Sequence, residues 1–439
     1  MKCAYAVSLA ALTASLVVTR PSMATPTEKL LNTFWGLAEG QQPLSGVIRD
    51  ASGNLYGTTA GVEYDSRRKK AVSTVFEVTP PSPGTEVWVE KTLHTFEGES
   101  AGDGASAYGG LVMDASGSLY GTTAGGGVGR GGGGGTVYRL TPPAAGQTNW
   151  TETILHAFTG GTDGASPVGS LIFDKAGVLY GTTSGGNGTV FKLTPPAQGG
   201  TDWVNSTLYT FQGGTDGAGP QSAVAMDRTG ALYGTTLGGG AGTACNGSGC
   251  GTVFMLTPPE EGQTSWTEAV LYTFTGGADG RSPAGSVVID KSGALYGVTS
   301  VGGNTLCPQQ TCGVAYKVSP PAAGQSAWTE TVVYAFNNAP DAYSPGGPLT
   351  FDPSGNLFGT AGGGSDNTGA VFELSPPAAG QTAWTESIFY SFPSNYQDGV
   401  GPSGGVHRDA AGDFFGVTQG GGDHHDSHAV YGTVYELKQ

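Results

Sequence analysis

The residues best suited to chemistry fall into four groups. Four cysteines form two pairs of identical spacing, Cys245-x4-Cys250 and Cys307-x4-Cys312. In an exported protein this pattern predicts two local disulfides, each closing a short loop and adding roughly 2 kcal/mol. The competing chemistry is a single four-thiolate Zn²⁺ site, for which the x4 spacing is less typical. The run Asp423-His424-His425-Asp426-Ser427-His428 holds half of the six histidines. His424, His425 and His428, with Asp423 or Asp426, offer the donors a transition metal takes. The run Glu63-Tyr64-Asp65-Ser66-Arg67-Arg68-Lys69-Lys70 concentrates four cations. Arg67, Arg68, Lys69 and Lys70 could hold an anionic ligand such as an acidic glycan or a carboxylate. The plainer reading of both runs is a solvated loop insertion.

The fourth group recurs along the chain: Glu39, Asp103, Asp163, Asp216, Asp279, Asp341 and Asp398. A proline follows four residues later in six of the seven, Asp103 having Ala107 there instead. One reading is a turn acid, repeated because its surroundings are repeated. The other is a ring of oxygen ligands, with Asp163, Asp216 and Asp279 among them, able to hold Ca²⁺ or a cationic ligand. Familiar catalytic signatures are missing. The chain has no G-x-S-x-G, no H-E-x-x-H and no P-loop. Gly127-Val128-Gly129-Arg130-Gly131-Gly132 matches G-x-G-x-x-G by letter but opens no helix, so dinucleotide binding is rejected.

The elements that must position these groups are written seven times. Leu-Tyr-Gly-Thr-Thr starts at Leu55, Leu119, Leu179 and Leu232, with variants at Leu295, Leu357 and Phe414. Around it, one unit reads as four strands: a over Ser170–Asp174, b over Val178–Thr183, c over Thr189–Thr194 and d over Trp203–Phe211. They are short, rich in β-branched and aromatic residues, and separated by Gly, Pro and Asp. The a-to-b turn is Asp-x-x-Gly in every unit, from Asp50/Gly53 to Asp409/Gly412. Seven four-stranded antiparallel units predict a seven-bladed β-propeller. The last unit stops after strand c at Thr433–Leu437, while Glu28–Phe34 matches the end of a strand d. The N-terminal strand is therefore expected to complete the seventh blade and close the ring. The d-to-a and b-to-c loops then emerge on one face, and the a-to-b and c-to-d loops on the other. The acid ring is expected at the channel mouth, and the Arg67–Lys70 and Asp423–His428 loops side by side on the same face. Trp88, Trp150, Trp203, Trp266, Trp328 and Trp384 are expected to pack between blades or over the outer strand.

The D-x-x-G-x-L-Y-G-T-T core, the Gly-rich stretch, G-T-V-F-x-L-T-P-P and W-T-E-T-x-L-Y-x-F together resemble the GloVer-type (Gloeobacter/Verrucomicrobium) repeats of exported choice-of-anchor tandem-repeat proteins. The resemblance covers residues 28–439. It implies export and a propeller-like repeat, and it brings no catalytic residues. The chain ends at Tyr435-Glu436-Leu437-Lys438-Gln439 without a sorting segment, a departure that sets surface anchoring apart from the family pattern.

Composition agrees with an all-β scaffold. Of 439 residues 78 are glycine and 26 proline, without the every-third-residue period of collagen. Glycine at about 1 kcal/mol per helical site argues against a bundle. With 37% hydrophobic and only 12% charged residues, the chain can bury a core. Residues 1–24 read as a signal peptide: Lys2, an uncharged run from Ala4 to Val18, and small residues before a cut after Ala24. Its loss leaves 17 basic against 35 acidic residues, a net charge of −18. That excludes nucleic acid and anionic membrane as general partners. The expected protein is one propeller domain over 25–439, periplasmic or extracellular, not membrane-inserted and monomeric. Its expected role is non-catalytic binding of a glycan or a protein. The alternative is a polysaccharide lyase or hydrolase acting at the channel mouth.

Overall fold

A computed structural model describes residues 26–35, 39–61, 73–98, 102–127, 133–197, 200–242, 245, 247–304, 312–395, 398–422 and 431–439. These form seven four-stranded antiparallel sheets arranged as the blades of a propeller, with one further two-residue pairing of Gly104–Ala105 with Gly125–Gly126. Among the described residues there is no α-helix. Blade 3 shows the pattern: strand a Ile172–Phe173, b Leu179–Thr183, c Thr189–Thr194, d Val204–Thr210. Strand a is two residues long in blades 1 to 4 and nine or ten in blades 5 to 7, as in Arg281–Ile289. It is shorter than expected in the first four, and in six of the seven a glycine of the inner segment crowds the axis. A Cβ on Gly169 would lie 2.7 Å from the backbone of Ser222 in the next blade.

Closure follows the predicted route. Thr27–Thr33 pairs antiparallel with Thr433–Lys438, in the sheet order that makes it strand d of blade 7. Arg49 of blade 1 is ion-paired with Asp409 of blade 7 across the same joint.

One packing device repeats at every junction. The phenylalanine ending strand d meets the aromatic residue of strand c in the next blade, edge to face. The seven pairs are Phe34–Phe76, Phe96–Tyr138, Phe158–Phe191, Phe211–Phe254, Phe274–Tyr316, Phe336–Phe372 and Phe392–Tyr435. Their centroids lie 4.9 to 5.1 Å apart. Such pairs add about 0.5–1.5 kcal/mol beyond burial. They also explain the glycine of Leu-Tyr-Gly-Thr-Thr. A Cβ on Gly181 would lie 2.6 Å from the Phe191 ring, so the strand-c aromatic can lie flat only over glycine. The tryptophans pack between blades: Trp150, Trp203, Trp266, Trp328 and Trp384 each meet the tyrosine of the preceding blade's strand b.

Candidate functional site

The sheets place chemistry at three levels: the axis, the two faces and the blade junctions. At the axis, on the face carrying the d-to-a loops, lies a cavity of about 540 Å³. All seven blades contribute to it through residues such as Gly46, Gly110, Ser170, Ser222, Ser286, Pro348 and Ser403. Its described lining holds no Asp, Glu, His, Lys or Arg.

The recurring acids lie elsewhere. Five of the seven carboxylates fold back on their own loop and accept the N–H of the residue four positions earlier, while Asp103 accepts Glu97 N–H and Asp398 the Asn395 side-chain amide. Asp163 takes Thr159 N–H at 2.9 Å, Asp216 takes Gln212 N–H at 2.5 Å and Asp279 takes Thr275 N–H at 2.7 Å. Asp341 takes Asn337 N–H at 3.1 Å, and Glu39 takes Trp35 N–H. Strand d supplies a second donor, Tyr209 to Asp216, Tyr272 to Asp279 and Tyr334 to Asp341. These acids close turns and face the groove between neighbouring blades instead of the channel.

A third participant arrives from the next blade. It is the residue two after the strand-d tryptophan: Glu90, Glu152, Asn205, Glu268, Glu330 and Glu386, with Glu28 at the ring closure. Burial, and then repulsion from the facing acid, pushes Glu28, Glu90, Glu268 and Glu330 up to about 7 and Glu386 up to about 8. The facing acids are Asp398, Glu39, Asp216, Asp279 and Asp341 in that order. At blades 2 and 3 the carboxyl is replaced: Asn205 lies 3.2 Å from His156 Nε2, which is also 3.3 Å from Asp163. At blades 1 and 2, His94 stands between Asp103 and Glu152. Burial pushes Glu152 up to about 7, with Asp103 adding to the shift. Burial also raises Asp103, but the nearby His94 imidazole and the hydrogen bonds from Glu97 N–H and Gly104 N–H outweigh it and hold the acid below its usual range.

The loops with unusual chemistry are described in part. Cys245 and Cys250 form a disulfide of 2.04 Å in the b-to-c loop of blade 4, which removes them as thiolate ligands. Cys312 is also disulfide-bonded, and its expected partner Cys307 lies outside the described residues. Arg67, Arg68, Lys69, Lys70, His424, His425, Asp426 and His428 lie outside them too.

On the opposite face, the a-to-b turns of blades 3, 4 and 5 border a groove of about 950 Å³. Phe173, Met226, Ile289 and Trp266 line its apolar part, and the exposed Lys175, Arg228 and Lys291 stand at its edge. No ion pair among the described residues involves these three cations. The neighbouring Asp174, Asp227 and Asp290 are occupied, each accepting turn N–H groups and a strand-b tyrosine hydroxyl.

A family profile described as the Gloeobacter/Verrucomicrobia repeat matches residues 17–247, 128–360 and 242–439. The chain belongs to this repeat family. No curated protein matches the sequence. Among solved structures, it is similar to a Thermus thermophilus protein provisionally assigned as an oxidoreductase (glucose dehydrogenase). The identity is 14% and the TM-score 0.42, over 75% of this chain and 96% of that one. A Bacteroides uniformis protein provisionally assigned as a 6-phosphogluconolactonase is 13% identical with a TM-score of 0.47, over 86% and 89%. Neither likeness bears on activity. Among the described residues no helix is long and apolar enough to cross a membrane. The disulfide points to an oxidising compartment.

Sequence reading found the loop acids but missed their partners. The W-x-E step of strand d and the residue two before its closing phenylalanine recur as plainly as Leu-Tyr-Gly-Thr-Thr. They signal a junction only once strand d of one blade is set against the d-to-a loop of the blade before it.

Proposed function

We propose that this repeat protein is an exported, non-catalytic binding propeller whose ligand is a glycan. The observation that carries the reading is the groove over blades 3 to 5. It is a concavity of about 950 Å³ with an apolar, partly aromatic floor and three exposed, unpaired cations at its edge. Sugar rings lay their C–H faces on such floors, while Lys and Arg bind hydroxyls and carboxylates at the edge. The carboxylates of the turn aspartates already accept hydrogen bonds within the turns, so the cations are the groups left to engage a ligand. Export is supported by the signal-like residues 1–24 and by the Cys245–Cys250 bridge. Arg67, Arg68, Lys69 and Lys70 are proposed as a second contact for acidic ligands.

Catalysis at the channel mouth finds no comparable support. General acid–base chemistry needs titratable groups at the reacting bond, and the described lining of the axial cavity offers only Tyr108. The test is a glycan array run with the mature chain and with a Lys175→Ala/Arg228→Ala/Lys291→Ala variant. Retention of a glycan class by the wild type, weakened at least about tenfold in the variant, is the expected result. A reducing-end assay on the retained glycan should stay at the rate of buffer. No retained glycan, equal binding by the variant, or released reducing ends would each overturn the reading.

A further inference from the structure

We propose that His94, Asp103 and Glu152 form a divalent transition-metal site at the junction of blades 1 and 2. His94 Nε2 lies 3.6 Å from an Asp103 carboxylate oxygen and 3.8 Å from Glu152 Oε1. The three ligand atoms all fall within 4.8 Å of one another, and no other group of this kind occurs among the described residues. A tetrahedral ion with bonds of about 2.0–2.1 Å holds its ligands about 3.3–3.4 Å apart, so the two imidazole–carboxylate separations need close by only a few tenths of an ångström, and the two carboxylates, within 4.8 Å of each other, by up to about 1.4 Å, a side-chain rotation. Two atoms of the trio, His94 Nε2 and Glu152 Oε1, are shut off from solvent and lack any hydrogen-bond partner. An imidazole nitrogen buried without a partner costs free energy, and an ion between the three groups removes that cost at once.

The other six junctions act as internal controls. At four of them a tyrosine, Tyr209, Tyr272, Tyr334 or Tyr390, occupies the His94 position, and its hydroxyl donates to a carboxylate. At the fifth, His156 recurs but Asn205 replaces the glutamate and reaches the ring nitrogen at 3.2 Å. At the ring closure the position is Asn32. Only at blades 1 and 2 do an imidazole and two carboxylates converge.

The surroundings suit an ion. Asp103 is fixed by Glu97 N–H at 2.7 Å and Gly104 N–H at 2.6 Å, the outer support that orients a metal ligand. Phe96 packs edge-on against the His94 ring at 4.8 Å. One nitrogen and two carboxylate oxygens balance a 2+ charge and favour Zn²⁺ or Co²⁺ over Ca²⁺, which prefers six or more oxygens.

The test uses the full mature chain stripped with chelator, titrated with Zn²⁺ by calorimetry and with Co²⁺ by visible absorption. Because the His424–His428 run is itself rich in metal donors, a His424→Ala/His425→Ala/His428→Ala variant is measured beside it. The decisive variant is His94→Tyr, which installs the residue found at four sister junctions, with Glu152→Gln as a second should that one fold poorly. The expected result is one Zn²⁺ and tetrahedral Co²⁺ bands in wild type and in the loop variant. Affinity should fall at least about tenfold in His94→Tyr or Glu152→Gln. Absence of Zn²⁺ binding by wild type, unchanged binding by the junction variants, or loss of all binding in the loop variant would overturn the proposal.

Discussion

Acid should stabilise this propeller, and Glu386 is the place to measure it. Glu386 lies on strand d of blade 6 (Thr385–Ser391), facing Asp341 in the d-to-a loop of blade 5. Asp341 is held there by Tyr334 O–H at 3.1 Å, Asn337 N–H at 3.1 Å and Ala342 N–H at 2.8 Å. It cannot turn away, and Glu386 Oε1 is buried without a partner. Burial first, and Asp341 second, push Glu386 from 4.5 up to about 8. The folded state therefore holds this proton over a pH range in which the unfolded chain has released it. The contribution is complete below about pH 4.5 and is lost as pH rises towards 8. Taken at face value, that difference is worth about 5 kcal/mol. Glu386 as a whole is only partly buried, and solvent screening cuts this to about 1–2 kcal/mol. Glu28, Glu90, Glu268 and Glu330 repeat the arrangement opposite Asp398, Glu39, Asp216 and Asp279. The protein should then lose several kcal/mol between pH 5 and pH 8.5, a large part of an ordinary folding free energy. Thermal unfolding with chelator present, followed across that range in wild type and Glu386→Gln, isolates one pair. The amide keeps the shape without the charge, so Glu386→Gln should match wild type within about 0.5 kcal/mol at pH 5. At pH 8.5 it should be more stable by about 1–2 kcal/mol. A melting temperature that is flat or rises from pH 5 to 8.5, or a variant offset that does not change with pH, would refute the reasoning.

Three further outcomes test the scaffold. Mass spectrometry of the mature chain should show a gain of four hydrogens on full reduction, and Cys250→Ser should cost roughly 2 kcal/mol in denaturant unfolding. Gly181→Ala drives a methyl to within 2.6 Å of the Phe191 ring and 2.8 Å of Leu171. It should destabilise by about 1–3 kcal/mol in the same assay, whereas Ala at the exposed turn residue Lys175 should stay within about 0.5 kcal/mol of wild type. Deleting residues 26–34 removes strand d of blade 7 and the Phe34–Phe76 contact. Limited proteolysis should then open the chain at blades 7 and 1 before any other blade is cut.

What could be read from the sequence was whatever lies within one repeat. The four strands, the Asp-x-x-Gly turn and the completing role of Glu28–Phe34 depend on contacts inside a sheet, and each carries its own signature. The direction in which Asp163, Asp216 and Asp279 point does not. The same spacing serves a carboxylate aimed at the axis or one folded back on its turn. What decides between them is Thr159, Gln212 or Thr275 behind the acid and Asn205, Glu268 or Glu330, 42 to 52 residues ahead, in the next blade. A repeat protein supplies its own comparison set, and at a junction the informative unit is a pair of neighbouring repeats. Set out in that way, seven junctions share an acid facing a polar residue of the next strand d. The departures at His94, His156, Asn205 and Asn32 then stand out as clearly as the His-rich and Arg/Lys-rich loops. Three of the four sit where the departure is answered by a hydrogen bond or leaves an uncharged amide. At His94 a buried imidazole nitrogen, able to ligate an ion as the amide nitrogen of Asn32 is not, faces two carboxylates, so the junction of blades 1 and 2 is where the scaffold's symmetry gives way to chemistry.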